Sequence, residues 1–226
     1  MIQLHPNEAR ALGVLIEKAA TTPEQYPLSL NALTAGCNQK NNRDPVLNLS
    51  EDDVFTAVES LREKQLTVRV DAAGSRVSKY RHEADRIFKC SPAELAVLAE
   101  LLIRGPQTLG ELRGRASRMQ PLNTLDDVKN LLTSLSQRDE PLIKQIAPSP
   151  GSRAERYAQL LTPIAETTTA QPTPATPISQ APASPSTAES TSDLLTRLST
   201  LEQEVHHLRT ALQKLAANIG EPDPLA

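Results

Sequence analysis

Residues 50–70 read SEDDVFTAVESLREKQLTVRV, and the period of the apolar residues changes halfway along. Val54, Ala57, Val58 and Leu61 recur at i, i+3, i+4 and i+7, the spacing of one helix face. Ser50 followed by Asp53 supplies a capping residue and an acid in the first turn. From Leu66 the period drops to two: Leu66, Val68 and Val70 alternate with polar residues, as in a half-buried strand. The turn DAAGS follows, and Arg76–His82 supplies a returning strand. A helix running directly into a β-hairpin is therefore expected here.

Working outward, the same unit is written twice. The phrase SRVSKY (Ser75–Tyr80) returns as SRAERY (Ser152–Tyr157), and LSEDDVFTAVESL (Leu49–Leu61) is echoed by NTLDDVKNLLTSL (Asn123–Leu135). HPNEARALGVLI (His5–Ile16) is echoed by SPAELAVLAELL (Ser91–Leu102). In the second copy Ser91, Pro92 and Glu94 form an N-cap, a proline at the first helical position and a capping-box acid. Leu95, Leu98, Ala99 and Leu102 then share one face, as do Ala9, Leu12, Leu15, Ile16 and Ala19 in the first copy. Short second helices are expected near Ser29–Ala35 and Gly110–Ala116. Val128, Leu131, Leu132 and Leu135 mark a third helix begun by Thr124 and Asp127. Leu142–Ile146, the turn APSPGS and Arg153–Leu160 complete a second hairpin. Three helices followed by a two-stranded hairpin make a winged helix. The tyrosine of the repeated phrase is expected to pack inward or across the hairpin, with its basic residues along the outer edge.

Beyond Leu161 the composition shifts to Thr, Ala, Ser and Pro, with almost nothing to bury, as in an extended linker. The chain then carries Leu194, Leu198, Leu201, Val205, Leu208, Leu212, Leu215 and Ile219 at alternating spacings of four and three, an a/d seam. The expected architecture is mainly α with small β-hairpin wings. It comprises winged-helix domains at 1–86 and 87–163, a disordered linker at 164–192 and a coiled-coil helix at 193–220. In that register a parallel pair sets Arg197 beside Glu202 and Glu204 beside Arg209 of the second chain, so the tail is read as a parallel homodimerisation helix, the alternative being that the long linker lets it dock on the chain's own domains.

Ile16–Val46 (IEKAATTPEQYPLSLNALTAGCNQKNNRDPV), Leu101–Met119 and the GSRxxKY phrase at Gly74–Tyr80 resemble the signature of the YceH family of bacterial proteins. The resemblance runs over residues 4–161. It implies a tandem winged-helix fold and supplies no functional residues to carry over.

The totals narrow the function classes. Residues 1–88 hold 11 Lys/Arg against 12 Asp/Glu, residues 89–163 hold 10 against 8, and residues 164–226 hold 3 against 7. The second copy is therefore the most basic part of the chain, at net +2, but no segment is basic enough for charge alone to announce a nucleic-acid binder. Cys37 and Cys90 fall in no CxxC or Cys/His spacing, so neither a disulfide framework nor a zinc site is expected. Both are read as small buried hydrophobes. There is no phosphate loop, HExxH or GxSxG motif, and the four His have no nucleophile beside them. A non-enzymatic protein without cofactor or metal is the reading. MIQLHPNEAR is unlike a signal peptide and no apolar run approaches membrane-span length, so a cytoplasmic protein that does not enter a membrane is expected.

Two functions fit. The first is duplex-DNA binding, as in a transcriptional regulator. The third helix of copy two offers Lys129, Asn130, Thr133, Ser134, Gln137 and Arg138 outward, with Arg113, Arg115 and Arg118 just before it. The hairpin phrases add Arg76, Lys79, Arg81, Arg153 and Arg156, and the polar loop 37–48 adds Lys40 and Arg43. The alternative is a scaffold whose tandem winged helices bind a protein partner. It is favoured by the acidic third helix of copy one, where Glu51, Asp52, Asp53, Glu59 and Glu63 would repel phosphate.

Overall fold

The computed structural model describes residues 2–71 and 77–163. The first half runs α1 (Pro6–Thr21), β1 (Leu28–Ser29), α2 (Leu30–Cys37), α3 (Glu51–Glu63), β2 (Thr67–Val70) and β3 (Lys79–His82). A short helix, α4 (Ala84–Phe88), leads into the second half. That half repeats the order with α5 (Pro92–Arg104), β4 (Gln107–Thr108), α6 (Leu109–Ala116), α7 (Leu125–Ser136), β5 (Ile143–Ile146) and β6 (Arg156–Gln159). The described chain is thus mainly helical with two small antiparallel sheets.

Local chemistry sets the helix starts. His5, Ser50, Ser91, Thr108 and Thr124 each cap a helix, and the acid three residues on returns a bond to the cap's own N–H. His5 does this through Nδ1, which accepts from the Asn7 N–H at 3.3 Å.

Each sheet has three strands rather than the two expected from the sequence. β1 and β4 are two-residue strands that pair with the returning strand of each hairpin, giving the orders β1-β3-β2 and β4-β6-β5. The ends of the repeated phrase, Lys79–Tyr80 and Arg156–Tyr157, consequently lie in the central strand of each sheet and not at its outer edge. The registers agree between copies: Lys79 lies opposite Ser29 and Val70, and Arg156 opposite Thr108 and Ile146. Tyr80 is buried, as the inward packing of the phrase requires, whereas Tyr157 is half-buried.

The two halves share one continuous apolar core. Its middle is the crossing of α1 on α5, where Gly13 stands so close to the neighbouring helix that a Cβ there would lie 2.8 Å from Ile103 Cγ1 and 3.1 Å from Leu102 Cβ. The absence of a side chain at residue 13 is what lets the two helices approach to this distance. The segments expected to form the linker and the coiled coil, with all eight a/d residues, lie outside the described residues.

Candidate nucleic-acid interface

The third helices α3 and α7 can be compared position by position, because Asp53 and Asp127 hold the same capping-box place. Phe55 then corresponds to Lys129, Thr56 to Asn130, Glu59 to Thr133, Ser60 to Ser134, Glu63 to Gln137 and Lys64 to Arg138.

The last pair faces inward in both halves. Lys64 Nζ donates to the buried Glu8 carboxylate at 2.5 and 2.7 Å, and Arg138 donates to Glu94 Oε1 at 2.7 Å. Ser134 Oγ adds a bond to the same Glu94 oxygen at 2.7 Å. Burial pushes the Glu94 carboxyl up, but the Ser91 N–H, the Ser134 and Ser91 hydroxyls and the Arg138 guanidinium outweigh it and bring it down to about 2. Ser134 and Arg138 therefore clamp α7 onto the start of α5: Ser134 is exposed, as the helical spacing requires, while half-buried Arg138 leaves the outward face.

The other arginines before α7 are also committed within the protein. Arg113 reaches the Asn123 carbonyl at 3.4 Å, and Arg115 bonds Gln107 at 2.7 Å and Glu111 at 3.1 Å. Arg118 spans two buried carboxylates, Glu17 of α1 and Glu100 of α5, the latter at 2.6 Å.

Arg43 is the largest departure from the sequence reading. Its side chain is 0% exposed, so it is not a phosphate contact. It donates to Glu17 Oε2 at 2.5 Å, to the Gly36 carbonyl at 2.9 Å and to Gln39 at 2.9 Å. Other residues of the loop after α2 are also tied to the protein. The Asn38 amide bridges to the Leu49 backbone with two 2.8 Å bonds. Asn42 accepts from Arg104 at 2.5 Å, and the Asp44 N–H donates to the Ile103 carbonyl at 3.2 Å. Arg10 holds the Cys37 and Pro45 carbonyls at 3.1 and 2.7 Å. This loop is a latch: it ties the first half to α5 through a buried network of Glu17, Arg43, Arg118 and Glu100. Burial pushes the Glu17 carboxyl up, and the two arginines more than reverse that, so it stays ionised.

What remains outward is a smaller set. Lys129, Asn130, Thr133 and Gln137 are exposed together along α7 and its C-cap, with the carboxylate of exposed Asp126 one turn before Asn130 on the same face. Lys144 is exposed on β5, and Arg153 is exposed in the turn leading to β6. Lys144 is absent from the basic residues singled out in the sequence, although its place beside buried Ile143 in the period-two pattern marks it as outward. Arg156 is half-buried and donates to the Pro106 carbonyl at 2.8 Å, so it supports β4 as well as facing the hairpin. Lys79 on β3 and Lys40 in the latch loop are exposed but belong to the first half. Arg76 lies outside the described residues. On α3, the equivalent face presents Asp52, Thr56 and Glu63 around Phe55, which is 45% exposed.

Both cysteines are buried. Burial pushes the Cys37 thiol up to about 12, against the opposing pull of Arg10 and Arg43, and raises Cys90 as well. Neither is a thiolate at neutral pH.

A duplicated helical unit with small sheets, carrying in its second half an exposed polar helix face whose charges are Lys129 and Asp126, is what the geometry defines. The chain belongs to the family described as "Protein of unknown function, DUF480", which matches residues 4–168. It is 45% identical over 218 residues to a UPF0502 protein of Shewanella piezotolerans, covering 94% of this chain and 97% of the relative. It is 52% identical over 157 residues to a UPF0502 protein of Citrifermentans bemidjiense, covering 70% and 73%. A UPF0502 protein of Pelobacter propionicus is 54% identical over 158 residues, covering 70% and 72%. This family membership agrees with the YceH-like signature read from residues 16–46.

Proposed function

We propose that each half is a winged-helix unit and that the second binds duplex DNA, with α7 in the major groove and the β5–β6 hairpin along the phosphates. In this reading the chain is a non-enzymatic regulator that acts in the cytoplasm, paired by a parallel coiled coil over 193–220. No described helix is long and apolar enough to cross a membrane.

One observation carries the reading: the exchange of Phe55, Glu59 and Glu63 in the first copy for Lys129, Thr133 and Gln137 in the second. The internal clamp residues and the first-turn acids Asp52 and Asp126 are alike in the two helices, while the rest of the outward face loses two acids and gains a lysine. Lys and Arg position a protein on phosphate, and Asn and Gln read base edges.

Fluorescence anisotropy of a labelled duplex with the full chain tests it. Binding should weaken as salt rises, and Lys129→Ala with Arg153→Ala should lower the log–log salt slope by about 2, roughly one for each phosphate no longer neutralised. No duplex binding at low salt, or an unchanged slope in the double variant, defeats the proposal.

A scaffold role has its own support in the half-exposed Phe55, set among acids on α3. In that case Phe55→Ala would abolish the capture of a protein partner and leave DNA binding unchanged.

A further inference from the structure

Between the C-terminal end of α1 and the start of α5 lies an open cleft of about 460 Å³. Both halves line it. Small side chains leave the space: Ala19 and Ala20 end α1 at a place where larger residues would fill it, and Ala96 does the same on α5. Ile16, Leu95 and Met119 complete an apolar wall. Its volume lies within the range of small-molecule sites.

The polar groups sit at one end. His82 and Asp85 flank the start of α4, with His82 Nδ1 3.7 Å from Asp85 Oδ1. Nδ1 is covered by the protein and makes no hydrogen bond among the described residues. Burial lowers the His82 pKa, against the raising effect of Asp85, so the ring is neutral at pH 7. Cys90, also in the wall, is an un-ionised thiol that donates to the Phe88 carbonyl. Asp85 is therefore the lining side chain that carries charge.

Two further features set the sign. The C-terminal pole of α1 is the negative end of its dipole and favours a cation, a role that Lys18 in the last turn already shares. The start of α5 would attract an anion, but its cap is already filled by the Glu94 carboxylate, which Arg138 neutralises.

We propose that this cleft binds a small amphipathic amine, with its apolar body against Ile16, Leu95, Ala96 and Met119 and its ammonium group beside the Asp85 carboxylate. The site is independent of the DNA reading, since none of its residues lies on the outward face of α7.

The chain has two methionines, Met1 and Met119, so methyl-labelled methionine gives one reporter inside the cleft and one far along the sequence. Three probes of one shape separate the head groups: phenylbutylamine, phenylbutanol and phenylbutyrate, each titrated into the full chain. The amine should shift the Met119 methyl signal saturably and bind more tightly than the other two. Asp85→Asn should weaken the amine about fivefold, the upper range for a partly exposed charge pair, and leave the alcohol unchanged. Ala20→Trp, at the exposed rim, should block all three without affecting the fold. A Met119 signal that none of the probes moves, or that moves without saturating, overturns the proposal. Equal affinity for acid and amine, or no effect of Asp85→Asn, overturns it as well.

Discussion

Replacing Glu17 with Ala tests the latch at its centre. Glu17 is buried and accepts from Arg43 at 2.5 Å and from Arg118. The two arginines are left in different situations. The Arg118 side chain is 28% exposed and still has Glu100 at 2.6 Å, so it re-pairs or turns outward. The Arg43 side chain is 0% exposed and loses the carboxylate it faces. Its carbonyl partners at Gly36 and Asn42 do not neutralise a charge. Stranding a buried ion in this way costs about 3–5 kcal/mol. In a unit of this size each kcal/mol lowers the melting temperature by about 2–4 °C, so a fall of about 6–20 °C is expected. Thermal denaturation of the full chain, followed by circular dichroism, measures the fall, and urea denaturation measures the free-energy loss. Arg62→Ala is the control: the Arg62–Glu59 pair is half-exposed and worth about 0.2–1 kcal/mol. Glu17→Leu combined with Arg43→Met should recover part of the loss, because apolar groups of similar volume need no counter-charge. If Glu17→Ala lies within about 1 kcal/mol of the parent, the network does not hold the loop in place.

Two more outcomes rest on the described packing, and two on the sequence of the linker and tail. Gly13→Ala should destabilise the protein by about 1–3 kcal/mol despite the better helix propensity of Ala, since the new Cβ would meet Ile103 and Leu102 at the α1–α5 crossing; calorimetry showing a gain would contradict that packing. The Glu94 carboxyl is depressed on folding to about 2 from 4.5, so its contribution is complete above pH 4.5 and lost as pH falls towards 2. The stability gap between the parent and Glu94→Gln should accordingly narrow over that window, and a gap constant with pH would refute the clamp's ionic part. Limited proteolysis should cut within 166–192 before it separates the halves near residue 86, because the halves share one core; early cleavage near 86 would show them to be loosely joined. Sedimentation should give a dimer for the intact chain and a monomer for one ending near residue 165, and equal masses would end the proposal that the tail pairs the protein.

What the sequence revealed, and what it hid, divides by distance along the chain. Helices α1, α3, α5 and α7 are readable because a capping box and an apolar face are both local patterns. The matching registers of β3 and β6 are implied by the repeated phrase itself. Leu28–Ser29 and Gln107–Thr108 are not readable as strands, since two residues show no alternation and are ordered only by the strand they join. The short helix Ala84–Phe88 reads as a plain connector, one turn being too little for a period. The candidate site is less legible. Lys129, Asn130, Thr133 and Gln137 are outward as the helical spacing requires, because exposure on one helix is a local property. Arg43 and Arg138 are misplaced by local reading because their partners are far off in sequence: Glu17 lies 26 residues from Arg43 and Glu94 lies 44 from Arg138. A basic residue in a polar stretch looks the same whether it meets phosphate or a buried acid. The amine cleft gives no sequence signal, since its alanines read as ordinary helix residues.

The central claim is that the two copies have divided their labour, with DNA at α7 and not at α3. A photo-crosslinking amino acid placed at Asn130, and in a separate variant at Thr56, addresses the same outward position of the two helices in the full chain. With labelled duplex DNA at low salt, the account predicts a crosslink from position 130 and none from position 56. Equal crosslinking from both, or crosslinking from position 56 alone, would contradict it.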